Sequence, residues 1–119
     1  MSMAQPKVGK KGSGNNSIVM SVNKIRIESL KKEIDYIKKN ILMNKHSLDA
    51  KKNDVKKVND RYKASISRAA SKDKPTLRER KAKEIKHLKQ EMDSFKKQIL
   101  DKKKQIDRKR DEIKKLKAK

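Results

Sequence analysis

The sequence has no cysteine and no tryptophan, a single phenylalanine, two tyrosines, three glycines and two prolines. Without cysteine there are no disulfide staples and no thiolate metal ligands, which fits a reducing compartment, and a cytoplasmic, intracellular protein is expected. With so few aromatics and only 32% hydrophobic residues, the chain lacks the material for an ordinary globular core. It also lacks the run of about 18 apolar residues that a membrane span needs. The early lysines are followed by Gly12-Ser13-Gly14-Asn15-Asn16 rather than an apolar stretch, so no signal peptide is expected.

Chemical motifs are equally scarce. No phosphate-cradling glycine loop and no nucleophile elbow occurs. The two histidines, His46 and His87, fall on outward positions of different helices, and two histidines without cysteine make no metal cluster. Carboxylates lie among lysines, where ion pairing accounts for them. The expectation is a non-enzymatic protein with no catalytic residue, no metal, no cofactor and no small-molecule substrate.

Charge is what the chain has in abundance. Charged residues make up 44% of it, and 37 Lys plus Arg against 15 Asp plus Glu give a net charge of +22. Such a density repels itself and attracts polyanions over a salt-dependent range. High charge with low hydrophobicity is consistent with disorder, or with a long helix burying a narrow seam; apolar spacing decides between them.

The spacing is heptad throughout. Taking Ile27 as position a, the a series runs Ile27, Ile34, Ile41, Leu48, Val55, Tyr62 and Ala69, with Leu30, Ile37, Asn44, Lys51, Val58 and Ser65 at d. A second series has Ile85, Met92, Ile99, Ile106 and Ile113 at a, with Leu88, Phe95, Lys102, Lys109 and Leu116 at d. Every a residue is apolar, which argues for two seams and against disorder. All three glycines lie within residues 1–17, and no glycine or proline interrupts 18–74 or 77–119. The reading is all-α: a flexible basic arm over 1–17, then an antiparallel coiled-coil hairpin over 18–119. Its helices are expected at about 21–72 and 77–117, with a turn at about 73–76. Pro75 is expected to end the first helix, and Thr76-Leu77-Arg78-Glu79 has the form of a capping box opening the second.

Folding the chain back about Pro75 places a opposite d in every layer, for example Val58 with Met92 and Val55 with Phe95. It also places Asn44 opposite Ile106, Lys51 opposite Ile99, Lys102 opposite Leu48 and Lys109 opposite Ile41. Lysines at such positions lay their stems along the seam and send the ammonium to water; polar seam residues also fix register at a cost in stability. On the g edge, Arg61 is expected to meet Glu91, and Arg68 to meet Glu84.

The e edge carries the functional argument. It reads Lys31, Lys38, Lys45 and Lys52 on the first helix and Lys89, Lys96, Lys103, Arg110 and Lys117 on the second. In the Pro75-centred fold, Lys31 faces Lys117, Lys38 faces Arg110, Lys45 faces Lys103 and Lys52 faces Lys96. A double ladder of like charge suits the phosphates of DNA or RNA, with Lys7, Lys10 and Lys11 of the arm as further contacts. The scarcity of aromatics and of arginine speaks against base stacking and base-specific readout. The alternative is a protein-interaction module, such as a scaffold, stalk, secretion chaperone or phage structural component, docking an acidic partner. Ile18, Val19, Met20, Val22 and Ile25 support it, being expected to overhang uncovered together with Ile27 and Leu30. This stretch also admits a short strand. Glu84 with Lys89 and Glu91 with Lys96 would attract in a parallel pair, which leaves helix-paired homo-oligomers open.

Overall fold

The computed structural model describes the backbone from Ser13 to Ala118 and the side chains from Ile18 onward. Lys7, Lys10 and Lys11 lie outside the described residues. Two helices account for nearly all of the described chain: α1 over Ser13–Arg68 and α2 over Lys74–Ala118. The protein is an all-α helical hairpin, and residues 18–30 are helix.

The reversal falls upstream of its expected place. Ala69 N–H donates to Ile66 O at 3.3 Å, tightening the end of α1, and Asp73 N–H donates to Ala70 O at 2.9 Å, closing a turn over 70–73. Asp73 O accepts from Leu77 N–H at 3.2 Å, so Asp73 is the residue that caps α2, and Pro75 lies inside the first helical turn. The first backbone N–H groups of a helix have no intrahelical acceptor, so a residue without one is accommodated there. Pro75 therefore opens α2 rather than marking the apex, and Thr76 is not the cap.

Tertiary contacts divide the chain into a turn-bearing unit, Lys38–Lys104, and an end unit bounded by Met1–Ile37 and Gln105–Lys119. In the turn-bearing unit, Arg61 binds Glu84, Lys51 Nζ lies 3.2 Å from Glu91, and Asn44 meets Gln98 at 3.1 Å. These contacts set a register one heptad away from the Pro75-centred one. Position a still faces d, but Val58 now lies opposite Ile85, Val55 opposite Leu88, Leu48 opposite Phe95 and Asn44 opposite Ile99. In the end unit, Arg26 bonds Glu112 at 2.9 Å and Lys109 bonds Glu33 at 3.0 Å. Here Leu30 faces Ile113, Ile34 faces Lys109 and Ile37 faces Ile106.

The core is a seam. Leu30, Ile34, Ile37, Ile41, Ile99 and Ile106 are buried, and Leu30 is fully so. Every one is an a or d residue. The expectation that Ile27 and Leu30 overhang is corrected: Leu30 is the most enclosed side chain and Ile27 lines a groove with Leu116. The one-heptad slip moves the end of α2 alongside them. Among the described residues no helix is long and apolar enough to cross a membrane.

Candidate polyanion interface

Each unit has two chemically different edges. The g edge is closed by hydrogen bonds and ion pairs. Arg61 Nη2 donates to both oxygens of Glu84, at 2.9 and 3.1 Å, and its guanidinium sits 5.1 Å from the centre of the Tyr62 ring. The expected Arg61–Glu91 and Arg68–Glu84 pairs are therefore not formed; Glu91 instead takes Lys51 and lies 3.7 Å from His87. The Tyr62 hydroxyl holds Glu84 below the ordinary carboxyl value, helped by Arg61, while Glu84 in turn raises Tyr62. In the end unit the Lys109 ammonium hydrogen-bonds Glu33 and lowers its carboxyl in the same way.

The polar seam residues belong to this g edge. Lys51 and Lys109 keep only about a quarter of their side-chain surface exposed, at 28% and 25%, and both send Nζ to a g-edge glutamate. With its amide turned so that the oxygen faces Lys102, Asn44 accepts from Lys102 Nζ at 3.0 Å and donates to Asn40 O at 3.2 Å, and the 3.1 Å contact with Gln98 is then a hydrogen bond when the Gln98 amide turns to donate. The seam lysines snorkel, all toward the same side, because that is where the acceptors are.

The e edge is the opposite case. The observed register keeps every expected residue on it and changes the partners. In the turn-bearing unit, Lys38 lies opposite Lys103, Lys45 opposite Lys96 and Lys52 opposite Lys89. In the end unit Lys31 lies opposite Arg110, and Lys24 and Lys117 line one groove. Lys24 is a further site residue that the sequence pattern could have supplied, being the e residue one heptad before Lys31. Lys31 approaches Glu28 at 3.8 Å on its own helix. Lys38, Lys45, Lys52, Lys89, Lys96, Lys103, Arg110 and Lys117 make no ion pair among the described residues. All are exposed. Near the turn, this edge opens into a groove of about 790 Å³ lined by Asn59, Ile66, Ala82, Ile85 and Lys89.

Exposed apolar side chains form a second feature. Ile18, Val19, Met20, Val22 and Ile25 are all more than half exposed, as expected. Two further pairs lie outside the expected patch: Tyr36 and Met43 at c positions, and Leu42 and Leu100 at b positions. Tyr36, at 67%, is an exposed aromatic among them. Each was legible as an apolar residue off the a/d seam.

Fold and edge chemistry define a class: a basic two-helix hairpin with one self-satisfied edge and one cationic edge. The chain matches no protein-family model, no curated protein and no solved structure.

Proposed function

We propose that this protein is a non-enzymatic nucleic-acid-binding hairpin, intracellular and cytoplasmic, that holds DNA or RNA by its phosphates. The observation that carries the reading is the contrast between the edges. Acceptors on the g edge take up the lysines within reach of them, whereas eight cationic e-edge residues have none. A row of exposed cationic groups with no ion-pair partner binds phosphate by releasing condensed counterions. In each unit the e-edge lysines face one another across the helix pair, which suits a backbone lying along the groove between them. Lys7, Lys10 and Lys11 add sequence-adjacent positive charge.

The test is binding of generic duplex DNA and RNA across a salt series, using the full chain and a chain lacking residues 1–17. Affinity that falls steeply and log-linearly with salt supports the reading. Absence of binding at low salt overturns it. A second reading, docking of a protein partner, is favoured by Ile18, Val19, Met20, Val22 and Ile25, because phosphate contacts make no use of exposed aliphatic side chains.

A further inference from the structure

The b positions flanking the e residues from Lys31 to Lys52 and from Lys89 to Lys117 are charged at all but two places. They read Glu28, Asp35, Leu42, Asp49 and Lys56 along α1, and Lys86, Asp93, Leu100, Asp107 and Lys114 along α2. An acid at b sits within i±3 or i±4 of the e lysines on the same helix and tempers them, as Glu28 does for Lys31 at 3.8 Å. An apolar residue takes the place of a charged one only at Leu42 and Leu100 in these stretches. Both leucines belong to the turn-bearing unit and are 56% and 53% exposed.

The register sets the two leucines at one level. Asn44 and Gln98 are in contact at 3.1 Å across the pair. In antiparallel helices, stepping back two residues from Asn44 and forward two from Gln98 gives Leu42 and Leu100, so the leucines lie at one level. Each is framed alike: Lys38 and Lys45 bracket Leu42 at i−4 and i+3, and Lys96 and Lys103 bracket Leu100 at the same offsets. The result is a local two-fold face in which Leu42 and Leu100 flank four lysines at one level, and the lysines' methylene stems can be laid against an apolar guest.

We infer that this face docks an acidic amphipathic helix, whose apolar stripe rests on Leu42, Leu100 and the lysine stems while its carboxylates meet Lys38, Lys45, Lys96 and Lys103. Charge complementarity selects the occupant. A second copy of this chain would bring its own +22 against the same lysines. Phosphate backbones have no use for leucines, and leucine at positions charged elsewhere along the edge serves a guest that is both apolar and anionic. A lipid surface asks for a broader apolar face than two leucines supply. Because the four lysines are shared with the nucleic-acid edge, the helix and a polyanion compete for this unit.

The probe is a synthetic helical peptide of Glu, Ala and Leu with leucine at a and d, set against a peptide of the same composition scrambled to remove the stripe. Both are titrated by fluorescence anisotropy into the full chain at about physiological salt, alongside duplex DNA and vesicles of anionic lipid. The striped peptide is expected to bind at least tenfold more tightly than the scrambled one. Leu42→Gln/Leu100→Gln should abolish that advantage while leaving helical melting and DNA affinity unchanged. Equal binding of both peptides, or an undiminished striped-peptide affinity in the double variant, overturns the inference. So does leucine-dependent binding to the vesicles without preference between the peptides, which would assign the face to a membrane. Failure of DNA binding with leucine-dependent peptide binding intact would sink the nucleic-acid reading alone.

Discussion

Arg61 grips both carboxylate oxygens of Glu84 with a single guanidinium nitrogen, at 2.9 and 3.1 Å, and this pair fixes how α1 and α2 align in the turn-bearing unit. An alignment one heptad away would keep a opposite d and so conserve the apolar seam. The polar contacts distinguish the two. Lys51 finds Glu91 and Asn44 finds Gln98 in the observed register, which is how polar residues at seam positions specify pairing.

The alignment is open to direct test by cross-linking. The chain has no native cysteine to interfere. Val58→Cys/Ile85→Cys should oxidise to an intramolecular disulfide, since these residues face each other across the seam. Val58→Cys/Met92→Cys should not, because the two would be about two helical turns out of step. The reverse pattern would restore the Pro75-centred hairpin. Adding Lys51→Leu should raise thermal stability, since an apolar residue then replaces a polar one at the seam, while the cross-linking pattern stays the same.

Burial along α1 is uneven, and stability should follow it. Leu30→Ala removes a fully buried side chain from the end unit and is expected to cost about 2–5 kcal/mol. Ile25→Ala, five residues earlier at a side chain 70% exposed, should fall within about 0.5 kcal/mol of wild type. Denaturant unfolding followed by circular dichroism measures both.

Acid and alkali should each weaken the g edge. Glu33 and Glu84 have carboxyls held below the ordinary 4.5, so their folded-state advantage is full above that value and fades as pH falls through the lowered one. Tyr62 is raised above 10.0, so its contribution is full below 10.0 and is lost as pH rises through the raised value. The margin of wild type over Glu84→Gln in thermal melts should shrink below pH 4.5, and the margin over Tyr62→Phe should close above pH 10.0.

Edge lysines and outward lysines should differ in their effect on duplex DNA. Replacing Lys38, Lys45, Lys96 and Lys103 with Gln should flatten the slope of log affinity against log salt by about 0.9 for each phosphate no longer neutralised. Replacing Lys32, Lys39, Lys97 and Lys104, four lysines at outward f positions, removes the same charge and should flatten it less. Equal slopes would mean that net charge, not the edge, does the binding.

Sequence alone determined that this protein is two helices with an a/d seam, because heptad spacing of isoleucine and leucine is local and repeats without interruption by glycine or proline. It also determined which lysines share an edge, since Lys31, Lys38 and Lys45 stay on one helix face in any register. It did not determine which lysine faces which, nor that Pro75 begins α2. A heptad slip preserves every apolar a–d match, so hydrophobic patterning is blind to it. Only tertiary contacts broke the tie: the turn at 70–73 and the reach of Arg61, Lys51 and Lys109 to specific glutamates selected one alignment. That alignment set Leu42 level with Leu100 and enclosed Leu30, because facing positions in an antiparallel pair are decided by where the chain turns.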